Sequence, residues 1–172
     1  MPLTPFHMGP GLLFKSLGRR RFSLIVFGVS QVAIDIEPLV RILRGDTLLH
    51  GFTHTLPGAL VVGACAAVVG RPVAMWFLGV VRREGDAAIV TWSGNVVSWP
   101  TALSSALIGT GSHLILDGIM HGDMHPFWPI FNPNPLLGVI GLSALHVLCV
   151  VSGVAGFTLL LVSSVIARKR PV

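Results

Sequence analysis

Long apolar runs dominate the chain, and the breaks between them are short and rich in arginine, glycine and proline. A helix needs about 20 apolar residues to cross a bilayer. The runs predict four spanning helices, at residues 22 to about 40, 54 to about 70, 99–120 and about 136–167. A shorter helix is predicted at residues 9–17. The predicted fold class is therefore all-α, an integral membrane helical bundle of four transmembrane helices plus a short N-terminal helix.

The composition agrees with this fold class. Of the 172 residues, 52% are apolar and 11% are charged, whereas a soluble domain has about a quarter charged residues. We therefore expect one transmembrane helical domain at residues 1–172. The excess of 12 Lys and Arg over 7 Asp and Glu raises the question of nucleic acid binding. Most of these basic residues flank apolar runs, which is the pattern of membrane topology, so the expected partner is the lipid bilayer and not nucleic acid.

The basic residues also predict an orientation. Lys and Arg are enriched in cytoplasmic loops, so the clusters at residues 19–21 and 168–170 are expected in the cytoplasm, and the first spanning helix runs outward. Residues 82–98 are the least apolar stretch, and they fit either a short strand or an interfacial segment. Trp128, in the segment HPFWP, is predicted first as an interfacial anchor and second as a substrate contact.

Ionisable side chains inside the predicted helices are the candidate functional residues, because charged groups are costly in lipid. At about 1.5 Å of helix rise per residue, Asp35 and His113 both lie roughly 21 Å from the cytoplasmic ends of their helices. By the same rise, His54 lies roughly 25 Å from that side, and His7 roughly 18 Å if the N-terminal helix forms a hairpin with the next one. This common level predicts a metal site formed by His7, Asp35, His54, His113 and Asp117.

The spacing of His113, Asp117 and His121 refines this prediction. Residues four apart lie on one helix face, but His113 and His121 are separated by about 12 Å along the axis and cannot bind the same ion. Asp117, between them, can bridge two ions about 3.5–4 Å apart, as carboxylates do in two-metal sites. Imidazole and carboxylate ligands suit zinc, and also iron or manganese.

Five other polar residues have simpler interpretations. A single intramembrane histidine such as His146 more often makes a structural hydrogen bond than binds metal. His50 and His125 lie in predicted outer loops, where solvated side chains are the expectation. Asp123 fits either a loop turn or a partner that orients His121, and Glu37 fits either a carboxylate that reaches water or a general base.

The ordered segments TPFH, HGFTH, HLILD and MHGDMHPFWPIFNPNPLLG resemble the small bacterial inner-membrane proteins known as membrane-bound, metal-dependent hydrolases. The order of the histidines and aspartates is also similar to that in zinc-dependent phospholipase C and the single-strand-specific nucleases, which are all-helical enzymes with three zinc ions. The resemblance implies that Asp35 and Asp117 are the bridging or water-orienting carboxylates. It implies this ligand set: His7, Asp35, His54, His113, Asp117 and His121.

Two departures limit what the resemblance implies. The soluble enzymes end their ligand set with a late His-x-x-x-Glu, whereas here His146 is followed by Val150. They also use a processed N-terminal tryptophan, whereas this chain begins with Met1 and Pro2. We therefore expect two divalent ions, with zinc as the first choice, and leave a third ion open.

The expected function is hydrolysis of a phosphoester in a lipid-like substrate, near the outer face of the inner membrane, by a metal-bound hydroxide. A proton or metal transporter is one alternative, since buried Asp and His side chains also mark ion pathways. A non-catalytic membrane protein with a structural metal is another. Polar groups spread through the bilayer would favour the transporter, and a saturated coordination shell would favour the structural metal.

Overall fold

The computed structural model describes residues 5–83 and 96–168, and this part of the chain is helical with no strand. The all-α prediction is therefore confirmed for these residues. The choice between strand and interfacial segment for residues 82–98 falls mostly on residues 84–95, outside the described residues. The α-helices, numbered in chain order, are α1 Met8–Gly18, α2 Leu24–Ile34, α3 Ile36–Arg44, α4 Leu56–Arg83, α5 Trp99–Met120 and α6 Leu142–Arg168.

Helices α2, α4 and α5 pack against one another and form the core of the bundle, while α1 packs mainly along α6. The core contacts at the end of the bundle where α5 begins are made by small side chains, among them Ala66, Ala74, Ala102 and Ala106. Small residues let helix backbones approach closely, which is how helices associate in membranes without a strong hydrophobic driving force. The opposite end of the core contains Ile34, which packs with other buried apolar side chains beside the candidate site described below.

Two of the described helices, α4 and α6, are long and apolar enough to cross a membrane by length and composition. The sequence predicts four such helices. Helix α5 has the predicted bounds and 22 residues, but its serine, threonine, histidine and aspartate side chains lower its apolar content. The first predicted span is too short for a different reason. It is divided into α2 and α3, of 11 and 9 residues, so neither helix is long enough to cross a membrane.

The division of this first span occurs at Asp35 and has a local cause. Pro38 lacks a backbone N–H, so it cannot donate to the carbonyl of Ile34 as the fourth residue along a helix would. The hydroxyl of Thr53, in the turn before α4, lies 3.2 Å from that carbonyl oxygen. The backbone of Asp35 is turned to φ −80° and ψ −5°, so α3 starts a new helix and the Asp35 side chain lies at the junction.

Two further helix boundaries differ from the prediction. The second span was expected to end near Gly70, but α4 continues through Pro72 to Arg83, since membrane helices tolerate proline where neighbouring groups satisfy the freed carbonyl. The last helix was expected from residue 136, but it begins at Leu142. Gly138 has a φ of +70°, which ends regular structure there.

The contact between α1 and α6 depends on glycine. A Cβ added at Gly156 would lie 2.4 Å from the backbone of Leu12 and Leu13, whereas a Cβ added at Gly79, on α4, would meet nothing within 4 Å. The backbone of α1 therefore rests directly on α6.

We predict that Gly156→Ala lowers the stability of the folded protein by about 1–3 kcal/mol, because overpacking forces the two backbones apart. The matched Gly79→Ala variant should be neutral, or stabilised by up to about 1 kcal/mol through helix propensity. Thermal unfolding of both variants in detergent measures the difference. Equal melting temperatures for the two variants would show that α1 does not pack on α6 as described.

Candidate metal centre

Four side chains from three parts of the chain meet in the interior. Asp35 comes from the junction of α2 and α3, His54 from the turn before α4, and His113 and Asp117 from α5. The Nε2 atom of His113 lies 3.2 Å from Asp35 Oδ1 and 3.2 Å from Asp117 Oδ2. The Nε2 atom of His54 lies 3.8 Å and 3.6 Å from the same two oxygens. None of the four side chains is more than 6% exposed.

A second group shares Asp117 with the first. It contains His50, Asp117 and His121, and each residue offers one ligand atom within 4.8 Å of the others. The Nε2 atom of His50 lies 3.8 Å from Asp117 Oδ2, and the rings of His50 and His121 are 4.4 Å apart between centroids. The helical spacing predicted that His113 and His121 belong to different groups with Asp117 between them, and the two groups have this arrangement.

The hydrogen bonds of His54 determine which ring nitrogen has the proton. Glu37, as a carboxylate, can only accept hydrogen bonds, and it accepts one from the Thr53 hydroxyl at 2.7 Å. The Thr53 oxygen must then accept from His54 Nδ1, 3.0 Å away. In a neutral His54, the unprotonated Nε2 atom then faces the two aspartates.

His113 and His50 are oriented in the same way. The Gln31 side-chain amide donates from Nε2 to the Gly109 carbonyl at 2.9 Å, so its Oε1 accepts from His113 Nδ1 at 2.8 Å. Asp123 Oδ1 accepts from His50 Nδ1 at 2.8 Å. Burial alone would raise the pKa of Asp123, but the hydrogen bond and charge interaction with His50 outweigh it and lower the pKa to about 2.

These bonds leave an arrangement of acceptors without donors. The Nε2 lone pairs of His54, His113 and His50 face the carboxylates of Asp35 and Asp117. Such facing acceptors repel one another, and a buried polar atom without a partner costs free energy. Among the described residues, these buried side-chain atoms have no hydrogen-bond partner: His7 Nε2, Asp35 Oδ1, His54 Nε2, His113 Nε2 and Asp117 Oδ1.

The spacing of the acceptors fits a small cation. Oxygen and nitrogen ligands about 2.0–2.2 Å from a tetrahedral zinc ion are separated from one another by about 3.3–3.6 Å. The histidine-to-aspartate distances of the first group, 3.2–3.8 Å, bracket this range. The group can therefore hold a metal ion, with His and Asp as the donor set.

Comparison with known proteins agrees with a membrane location. The family model for the YdjM inner membrane protein matches residues 15–170. The chain belongs to the YdjM inner membrane protein family. No curated protein and no solved structure matches it significantly. The similarity to zinc-dependent phospholipase C and single-strand-specific nucleases, expected from ligand order, therefore finds no support in these comparisons.

The structure of this YdjM-family protein brings most of the predicted site residues together. The two groups include every predicted metal ligand except His7, which lies beside them. The Nε2 atom of His7 is 3.4 Å from Asp117 Oδ1, and its Nδ1 atom is 3.3 Å from His113 Nδ1. The N-terminal hairpin predicted from the sequence thus delivers His7 to the expected level.

Glu37 does not lie in the cluster, although it was predicted as a possible catalytic base. Its carboxylate accepts hydrogen bonds from the Arg41 guanidinium at 2.8 and 3.0 Å and from the Thr53 backbone at 2.7 Å. In this YdjM-family protein Glu37 is linked to His54 through the Thr53 hydroxyl.

Sequence reasoning missed His50, which was expected to be solvated but has a side chain only 4% exposed. The missed signal is the spacing of His50 and His54 in HGFTH, together with Asp123, which orients His50 and not His121. The predictions for His125 and His146 have different outcomes. His125 is exposed, as predicted, and donates to the Asn132 carbonyl, while His146 stacks on Phe6 at 4.7 Å.

We predict that Thr53→Val weakens metal binding by the YdjM-family protein about 10- to 100-fold, because it removes the hydroxyl that fixes the His54 ring, and loss of such a partner has this typical effect. Thr53→Ser keeps the hydroxyl and should bind like the unmodified protein. Competition titration with a metal-chelating dye gives both affinities. Equal affinities for the valine and serine variants would contradict the role assigned to Thr53.

Proposed function

We propose that this protein is a membrane-embedded, metal-dependent hydrolase that cleaves a phosphoester of a lipid-like substrate near the outer face of the inner membrane. One observation supports the metal most directly. Histidine lone pairs and two buried carboxylates face each other at ligand–ligand distances, with no donor between them in the described residues. A divalent cation is the simplest species that satisfies all of these atoms together.

The proposed centre holds two ions, with zinc as the preferred metal. Asp35, His54 and His113 would bind the first ion, His50 and His121 the second, and Asp117 would bridge them. His7 takes a different part from the one expected from the sequence. Its Nε2 atom lies 3.4 Å from Asp117 Oδ1, where it would hold that carboxylate in place without binding either ion.

The proposed chemistry follows from charge and burial. Bound divalent ions make water acidic enough to be deprotonated near neutral pH and stabilise the negative charge that develops on a phosphoester. Asp35 Oδ1, which has no hydrogen-bond partner among the described residues, would hold the first ion and so orient the water bound to it. Burial strengthens these charge interactions, because the effective dielectric constant is lower than in water. Glu37 contributes by keeping His54 in the required tautomer.

The proposed membrane arrangement has four crossings, with α2 and α3 acting as one crossing and α5 as another beside α4 and α6. The polar side chains of α5 are compatible with a membrane crossing, because those that are buried, such as Thr110 and His113, face the other helices of the bundle. The arginine cluster at residues 19–21 and the last turn of α4 lie at the end away from the aspartates. By the distribution of basic residues, this end, with the basic clusters at residues 19–21 and 168–170, belongs in the cytoplasm.

Labelling with a membrane-impermeant maleimide tests this orientation. In a background with Cys65→Ser and Cys149→Ser, we predict that Asp46→Cys, in the loop after α3, reacts in intact spheroplasts. Arg20→Cys should react only after lysis. Both positions are exposed, so accessibility to the reagent reports the side of the membrane. The opposite labelling pattern would invert the topology, and equal labelling before lysis would exclude the four crossings.

The two alternative functions, a transporter and a protein with a structural metal, require different arrangements of polar groups. A transporter needs ionisable groups along a path through the bilayer, but in the described part of the chain the buried ionisable groups, Lys15 apart, gather at one level. A structural metal needs a closed coordination shell without water. Spectroscopy of a cobalt-substituted protein counts ligands, and an open or water-filled position favours hydrolysis over the structural metal.

We predict that Asp117→Asn loses at least one equivalent of bound metal and lowers phosphodiesterase activity by about 10³-fold or more, because Asp117 is shared by both ion sites. Asp46→Asn makes the same chemical change at an exposed loop position and should keep both properties. Elemental mass spectrometry and hydrolysis of a lipid phosphoester in detergent measure the two effects. Wild-type metal content and activity in Asp117→Asn would overturn the proposed function.

A further inference from the structure

A second feature lies beside the candidate centre and is unused by the chemistry proposed above. It is a cavity of about 260 Å³ between the turn that precedes α4 and the loop that follows α5. The residues that line it are His50, Gly51, Phe52, Thr55, His125 and Trp128.

His50 is shared by the cavity and the centre. This side chain lines the cavity, and its Nε2 atom also faces Asp117 in the second group. A molecule bound in the cavity therefore contacts a residue that is part of the centre. The outer wall is formed by Phe52 and Trp128, which are 48% and 47% exposed.

The walls of the cavity are fixed by backbone contacts. The Leu56 N–H donates to the Pro126 carbonyl at 2.7 Å and joins the start of α4 to the loop after α5. The Thr55 hydroxyl donates to the Phe52 carbonyl at 2.7 Å. A Cβ added at Gly58 would lie 1.8 Å from that same carbonyl oxygen, so the turn is pressed against α4. The cavity is therefore largely preformed, as ligand pockets usually are.

Three polar groups of the lining are already engaged. The Thr55 hydroxyl bonds to Phe52, and His125 Nδ1 donates to the Asn132 carbonyl. His50 Nδ1 bonds to Asp123. The remaining surface is mainly aromatic and aliphatic, which suits an apolar ligand and offers little to a sugar or a nucleobase.

We propose that this cavity binds the first part of the hydrocarbon chain of a lipid phosphoester and so orients its headgroup toward His50 and Asp117. The inference rests on the proposed function for the identity of the headgroup, while the binding of an apolar chain is a separate claim. An amphiphile fits because the cavity has an apolar, half-exposed wall at Phe52 and Trp128 and is bordered on another side by His50 of the centre. The family is one of inner membrane proteins, so amphiphilic lipids surround the protein.

Tryptophan quenching tests the binding directly. The chain has four tryptophans; the triple variant Trp76→Phe, Trp92→Phe, Trp99→Phe keeps Trp128. A matched triple variant, with Trp128→Phe in place of Trp76→Phe, keeps Trp76, which is 70% exposed on α4. The probe is dodecyl phosphate with bromine on the part of its chain nearest the phosphate, added to the full-length protein in detergent. Quenching of Trp128 should saturate and be reversed by unbrominated dodecyl phosphate, and quenching of Trp76 should not saturate.

A second pair of variants tests the wall of the cavity. Phe52→Ala should weaken binding of the brominated probe about five- to tenfold, since it removes part of the apolar contact. Leu60→Ala changes an exposed apolar residue of α4 outside the cavity and should leave the affinity unchanged. Because affinity is measured by quenching of Trp128, the result does not depend on enzymatic activity.

The possible outcomes separate this inference from the proposed function. Saturable quenching of Trp128 that Phe52→Ala weakens supports the chain-binding cavity, whether or not the protein hydrolyses phosphoesters. Non-saturable quenching that is equal for Trp128 and Trp76 overturns it, even if hydrolysis is observed. Equal effects of Phe52→Ala and Leu60→Ala would also overturn it, because the cavity wall would then have no special part in binding.

Discussion

The structure depends on one electrostatic constraint, which is that Asp35 and Asp117 are buried together among histidine lone pairs. Each Nδ1 of His54, His113 and His50 is bonded to an acceptor outside the cluster, so each Nε2 faces the carboxylates as an acceptor. Buried acceptors that face one another are unfavourable unless a cation or protons lie between them. The same hydrogen bonds that fix the ring orientations therefore create the demand for positive charge.

The interruption between α2 and α3 brings the Asp35 carboxylate into this cluster. Pro38 leaves the Ile34 carbonyl without its helical donor, and the chain turns at Asp35, which places this carboxylate at the junction instead of along a continuous helix face. Thr53 then contacts the broken helix and His54 at once, through Ile34, Glu37 and the His54 ring. A proline that interrupts an expected span is thus part of how the site is built, and the short length of α2 and α3 follows from the same cause.

The distance of the site residues from the cytoplasmic ends of their helices was predictable from sequence, because helix rise per residue is nearly constant. Depth alone grouped Asp35, His54, His113 and Asp117 in the prediction, and these four side chains meet in the structure. The break at Asp35 and the burial of His50 were not predictable in this way. Both are set by contacts between segments distant in sequence, such as Asp123 with His50, and neither apolar pattern nor spacing reports such contacts. The break also explains why the first predicted span does not appear among the helices long and apolar enough to cross a membrane.

Helix α1 links the last helix, α6, to the core helices α2, α4 and α5. Helix α6 contacts α5 little and reaches the site through α1, whose backbone rests on Gly156 and whose preceding residue, His7, faces Asp117. A shift of α1 along α6 would move His7 relative to Asp117 without changing any ligand of either group. Because His7 lies 3.4 Å from one oxygen of the carboxylate shared by both groups, packing between α1 and α6 sets how closely His7 approaches the site. The last helix is therefore coupled to the centre by a close backbone contact, although it supplies no ligand to either group.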